Sequence, residues 1–308
     1  MKKGILLYFV AIILIALAPF LGRSGFIDFD KQGLYILENL RFPRVYLAFI
    51  VGGLLSIIGN TTQVIFRNPL ATPYTLGFSS VAALGLAIAE LGFESYSLGA
   101  YIALSSTFLF ILLFLYLNKF SSQKVLLFGV CLSIFSSSAI VFVQSLLGNE
   151  SIARLIRWMM GSLSIVGFES FTYTLPLYLI GLVFFIANRR NLAMISIGED
   201  FAKTRGVKTR QVNATLILIS NLLVAIIVWQ CGPIGFVGLI IPHITRRLIS
   251  ANYQKNLLPT FIFGGAFLVL CDLLSRVILE NSIIPIGAIT ACVGAPVLVL
   301  QLFKKPSA

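Results

Sequence analysis

Apolar residues in this chain come in long runs, without the alternation of a half-buried strand or the single apolar stripe of a soluble helix. A helix needs about 20 mostly apolar residues to cross a hydrocarbon core. Runs of that order lie near 4–22, 45–66, 74–92, 98–117 and 124–147, then near 171–187, 212–231, 234–250, 257–279 and 285–303. The second is interrupted by Gly52, Gly53 and Gly59, and the eighth is short. Polar connections are brief except near 23–44, 148–170 and 188–211, and none has room for a soluble domain. The pattern predicts an all-α polytopic membrane protein, one domain over 1–308 with ten transmembrane helices.

Charge placement orients these spans. Lys2 and Lys3 precede the first run, and Lys304 and Lys305 follow the last, so both termini are expected to be cytoplasmic and the span count even. The first run is longer than the apolar region of a signal peptide and further spans follow, which reads as a retained helix. Alternation then makes the loops near 23–44 and 148–170 external, and the loop near 188–211, with Arg189, Arg190, Lys203, Arg205, Lys208 and Arg210, internal.

Composition agrees with the pattern: 58% of the 308 residues are hydrophobic and mean hydropathy is +0.98. Only 11% are charged, against roughly 25% in a soluble domain. A soluble enzyme, a disordered chain and a fibrous repeat are excluded. A net charge of +12 would suggest a nucleic-acid surface in a soluble protein. Divided by the expected topology, however, the inner side carries 16 of the 23 basic residues and two of the 11 acidic ones. The excess is an orientation signal at the membrane lipid surface and calls for no nucleic-acid partner. Cys131, Cys231, Cys271 and Cys292 lie in apolar surroundings without paired spacing, and His243 is the lone histidine, so no metal site is expected.

Few ionisable residues fall within the runs. Asp272 is the clearest, with Glu90 and Arg276 nearer helix ends. Asp272 could carry an ion in a self-contained secondary transporter driven by a gradient, or it could pair with Arg276 one turn away at i,i+4. There is no Ser/His/Asp grouping, HExxH, GxSxG or Walker A sequence, so no catalytic residue is assigned and the chain is not read as an enzyme. If transport is ATP-driven, a separate subunit must hydrolyse the nucleotide. The runs from Gly232 to His243 and from Ile284 to Pro296 are rich in glycine and proline. Small residues there permit close helix packing, and broken backbone at membrane depth is tolerated where it is buried in protein or lines a cavity. The inner loop contains IGEDFAKTRGV at 197–207, readable as a short helix capped by Gly206 or as a solvated basic loop.

Seven motifs, in order along nearly the whole chain, resemble the FecCD-type permeases of ABC importers for iron-siderophore complexes, haem and vitamin B12. They are RFPR (Arg41–Arg44), Gln63 with RNPLATP (Arg67–Pro73), LGFSS (Leu76–Ser80), WMMGSLS (Trp158–Ser164), GEDFAKTRGV (Gly198–Val207), GPIGFVGLIIPH and PIGAITACVGAP. The chain departs from the pattern at Val81, where the family usually has glycine, and is rather short. The resemblance implies a BtuC-like permease architecture that works as a dimer with a second permease copy or close paralogue. It also implies two ATP-binding subunits inside, which use ATP and Mg, and an external substrate-binding protein; no cofactor is bound by the permease itself. It implies a bacterial or archaeal plasma (inner) membrane location and a metal chelate, most commonly a ferric siderophore, as cargo, with haem, cobalamin and molybdate as the family's alternatives. By position, Gly198, Glu199, Asp200, Ala202, Arg205 and Gly206 would couple to the ATPase. Arg41, Arg44 and Arg276 would dock the binding protein, and Ser122 and Gln123 would form the cytoplasmic gate.

Overall fold

A computed structural model describes residues 2–22, 25–26, 30–91, 122–165, 167–278 and 284–303. Among these residues the chain is helical apart from a two-residue antiparallel pair, β1 (Leu21–Gly22) and β2 (Gly25–Phe26). The helices are α1 (Lys2–Leu17), α2 (Lys31–Ile36), α3 (Phe42–Phe66), α4 (Phe78–Ala89), α5 (Ser122–Leu146), α6 (Asn149–Met159) and α7 (Glu169–Ala187). They continue as α8 (Arg189–Ile197), α9 (Glu199–Thr204), α10 (Thr209–Cys231), α11 (Val237–Leu248), α12 (Tyr253–Val277) and α13 (Ile286–Phe303). Nine of the ten expected runs contain a helix; the run at 98–117 lies outside the described residues.

Among the described residues four segments are long and apolar enough to cross a membrane unaided: Lys31–Phe66, Leu126–Leu146, Thr209–Cys231 and Tyr253–Val277. The pair Phe171–Ala187 and Arg189–Ile197, bent by 51°, makes a fifth if counted as one span. Other apolar helices are shorter. The 12 residues of α4 rise only about 18 Å at 1.5 Å per residue, less than the hydrocarbon thickness. The irregular chain just before α4 is buried at Ala71, Thr72, Pro73, Leu76 and Gly77, as backbone at membrane depth must be.

The loops expected at 23–44 and 148–170 prove partly helical. Residues 31–66 form one continuous element in which a π-helical turn, Leu37–Arg41, joins α2 to α3. RFPR therefore straddles the π turn and the first turn of α3; Pro43 has no amide to offer the carbonyl four residues earlier, and that group, Asn39 O, accepts from Gly167 N–H at 2.7 Å instead. Within the second loop, α6 is amphipathic and lays Leu155 against Ala83, Ala87, Ile140 and Val143.

The core is built around α3 and α12, with α11 packed on both. Glycine sets the approach: a Cβ on Gly59 would collide with the Gly238 carbonyl, so α3 and α11 meet backbone to backbone. The glycine- and proline-rich runs meet too. Ser162 N–H donates to Cys231 O (2.7 Å), Ile286 N–H to Gly161 O (3.3 Å) and Gly287 N–H to Met160 O (3.1 Å). Gly232, at φ +70°, turns the chain against Trp158 O where a side chain would collide. Three breaks thus satisfy one another's backbone groups, which is the condition for irregular chain at this depth.

Candidate functional site

At one end of the bundle the arginines of RFPR are drawn inward. Arg44 Nε donates to Asp272 Oδ1 at 2.6 Å, and Arg44 Nη1 donates to Ser164 Oγ at 3.3 Å. Arg276 Nε lies 3.0 Å from Asp272 Oδ2, an ion-pair distance without hydrogen-bond alignment. Asp272 is wholly buried, and Arg44 and Arg276 are 9% and 7% exposed. The expected i,i+4 pair between Asp272 and Arg276 is present, with Arg44 of α3 as a second partner.

These arginines also terminate α1. Arg276 Nη1 and Nη2 donate to Leu21 O and Ala18 O, both at 3.2 Å, and Arg41 Nη1 donates to Pro19 O (3.3 Å) and Phe20 O (3.2 Å). Four consecutive carbonyls past the helix are satisfied by guanidinium groups, whose charge also complements the negative end of the helix dipole. Arg44 and Arg276 are internal fasteners between α1, α3 and α12, and only the half-buried Arg41 reaches toward solvent. Asp272 is their shared counter-ion. Its two arginine contacts give it a structural task as the charge that joins α3 to α12.

The opposite end carries the basic loop. The chain turns at Gly198 from α8 into α9, a helix of only six residues whose first turn holds Glu199 and Asp200. Ala202 is completely buried beside Ile195 and Val207, with Val64, Met194 and Val212 packed around them. Gly206 adopts φ +81° just past the helix, and Val207 N–H returns to Ala202 O at 3.0 Å, so the segment is a capped helix and not a solvated loop. Glu199 accepts from Thr209 Oγ1 at 3.2 Å, tying the start of α9 to α10. Asp200 is fully exposed, and Lys203 Nζ lies 3.3 Å from Asp200 and 3.6 Å from Glu199. Those contacts raise the Lys203 pKa above its ordinary value, the hydrogen bond to Asp200 first. Arg205 folds over the Phe201 ring at 5.2 Å. One face of α9 is anchored and the other presents Asp200, Lys203 and Arg205 outward.

Ser122 and Gln123 open α5, while their side chains lie outside the described residues. A cluster not expected from the sequence joins α3 to α11: Arg246 Nη1 donates to Asn60 Oδ1 at 2.7 Å, and Nη2 donates to Gln63 Oε1. Gln63 Nε2 in turn donates to Gly238 O at 3.2 Å. Ser56, Asn60 and Gln63, all buried, recur at helical spacing, and that polar stripe along an apolar run is the signal the sequence offers for it.

Among the described residues no group of three or more His, Cys, Asp and Glu is placed to hold a metal. A helical bundle with apolar spans, buried ion pairs at one end and an anchored charged helix at the other has the form of a multi-pass membrane protein. The chain belongs to the FecCD transport family, whose model matches residues 5–304. It is 38% identical to an ABC transporter permease of Bacillus subtilis, YvrB, over 90% of this chain and 81% of that one. It is 32% identical to the molybdate import permease MolB of Haemophilus influenzae, over 92% and 85% of the two chains. A solved structure described as an inward-facing metal-chelate type ABC transporter superposes with a TM-score of 0.89 at 28% identity, covering 96% of this chain and 98% of that one. Other relatives are permeases for vitamin B12 in Photorhabdus laumondii and for hemin in Yersinia pestis. The chain is accordingly an ABC importer permease of the FecCD transport family, and its relatives are transport subunits.

Proposed function

We propose that this protein imports a ferric siderophore across a bacterial or archaeal plasma membrane by alternating access, as one of two permease copies driven by a pair of ATP-binding subunits. The observation that carries the reading is the anchored helix α9: Ala202 is sunk into the bundle while Asp200, Lys203 and Arg205 face outward. A short stiff lever of this kind suits transmission of force from an ATPase, because the buried alanine and the capping glycine hold its angle to α8 and α10. Gly198, Glu199 and Gly206 shape the lever, and ATP and Mg act in the partner subunit.

An external binding protein docks at the other end, with Arg41 as the accessible cation and Arg44 and Arg276 fastening the helices beside it. Exposed ion pairs are worth about 0–1 kcal/mol each, so such docking sets register and encounter rate more than affinity. Ser122 and Gln123 at the start of α5 form the inner gate. The siderophore is preferred over haem, cobalamin or molybdate because it is the common cargo of the family; the relatives named for other cargoes share the architecture.

Vesicle uptake with and without the ATP-binding subunit, with the ion gradient collapsed, tests the drive. Uptake that requires the ATPase and survives the collapse is expected, and uptake that follows the gradient alone would overturn the proposal. The double variant Glu199→Ala, Gly206→Val should abolish uptake while the chain still inserts; unchanged uptake removes α9 from coupling. Identifying the compound that co-purifies with the adjacent binding protein decides the cargo.

A further inference from the structure

Between α3, α8, α11 and the start of α12, at the end carrying the basic loop, lies a cleft of about 460 Å³. Asn60, Gln63, Arg67, Ser196, Arg246 and Asn256 supply its polar wall, and no acidic residue lines it among the described residues. Arg246 is held by two neutral amide oxygens, which fix its guanidinium without cancelling the charge. Arg67, in a left-handed conformation at the end of α3, is exposed at the rim. Neither arginine belongs to an ion pair among the described residues. Asn256 is fully buried, and its Oδ1 has no hydrogen-bond partner among the described residues. Val64, Ile197 and Ala251 add apolar surface, with Ile197 strongly exposed.

Two uncompensated guanidinium groups in a partly enclosed cleft focus positive potential, and basic pockets between membrane helices on the cytoplasmic side suit anionic headgroups. We infer that this cleft binds a phosphate-bearing anion, the phosphate between Arg67 and Arg246 and a neighbouring hydroxyl donating to Asn256 Oδ1. Guanidinium forks match phosphate oxygens bidentately, and the apolar wall accommodates the first carbons of an acyl chain. The source is either the headgroup of an anionic lipid such as phosphatidylglycerol or free inorganic phosphate. The site is independent of the transported cargo and of the coupling role given to α9.

The test uses the full chain in detergent, alone and with its ATP-binding partner. Native mass spectrometry measures retention of phosphatidylglycerol against phosphatidylcholine, and titration calorimetry measures inorganic phosphate. Preferential retention of phosphatidylglycerol, reduced roughly fivefold by Arg67→Gln, is expected if the anion is a lipid. Binding of inorganic phosphate alone, weakened by the same variant, assigns the free ion and keeps the site. Arg246→Gln also releases Asn60 and Gln63, so the variant at the exposed Arg67 is decisive if that second variant fails to fold. No preference for either anion, binding unaffected by Arg67→Gln, or loss of binding once the ATPase is present would overturn the inference.

Discussion

Helices α3 and α5 have the same length, 25 residues, and opposite surroundings. The apolar window of the α3 span is 72% buried inside the protein, that of α12 is 61%, and that of α5 only 22%, although α5 is the most apolar of the three. On α5, Leu127, Ile134, Phe135, Val141 and Phe142 all stand outward. In water such a face would mark a binding or aggregation surface. In hydrocarbon it costs nothing, because lipid tails are as apolar as leucine. What marks a protein-buried span here is polarity. Ser56, Asn60 and Gln63 on α3, and Asn256, Asp272 and Arg276 on α12, must find partners inside the bundle because lipid offers none.

The largest test of that contrast is Asp272→Ala. It leaves Arg44 and Arg276 buried without their counter-ion, and breaking one partner of a buried pair costs about 3–5 kcal/mol. A steep fall in the detergent unfolding midpoint is expected, and a small one would mean that the α3–α12 junction does not depend on charge. Next comes the helix crossing. Gly59→Leu drives a side chain into the Gly238 backbone and should destabilise by about 1–3 kcal/mol, the ordinary range for overpacking, or more if the helices cannot separate. On α5, Ile134→Ala or Phe135→Ala should change the unfolding free energy of the single chain by no more than about 0.5 kcal/mol, as at other unpacked surfaces. A loss as large as that at Gly59 would show that this face is packed after all.

The smallest effect concerns α9. Because the folded-state pKa of Lys203 is raised above its ordinary 10.5, its contribution is complete below that value and is lost as pH rises through the raised one. Local order of α9, followed by amide exchange or a spin label at an exposed position, should therefore be constant through neutral pH and decline only in strong base. A decline near neutrality would remove the Lys203 contacts as its cause.

Helix positions are legible in the sequence because apolar runs mark where chain enters hydrocarbon, though not helix length, since the runs at 74–92 and 234–250 hold helices of 12 residues each; Gly206 announces the end of α9 because few residues other than glycine tolerate its backbone. RFPR is the counter-example. Two arginines and a proline look like an aqueous connection, yet Pro43 sits in the first turn of α3 just past the π turn, and three helices use the arginines as fasteners. Arg246 reads in sequence only as part of the inner positive charge, since nothing in its local sequence says that Asn60 and Gln63, more than 180 positions earlier, will hold it.

The sequence by itself determined the solvent, the kind of structure and the family: a helical membrane chain whose motifs run in register with the FecCD transporters. Tertiary structure decided which apolar helices form the core, which charges are fasteners and which are surface, and where the three glycine-rich breaks close on one another. The division has a physical cause. Transfer into hydrocarbon depends on the composition of each run and can be summed locally, whereas burial within protein depends on which polar and small residues meet across helices, a relation between distant positions that no single run contains.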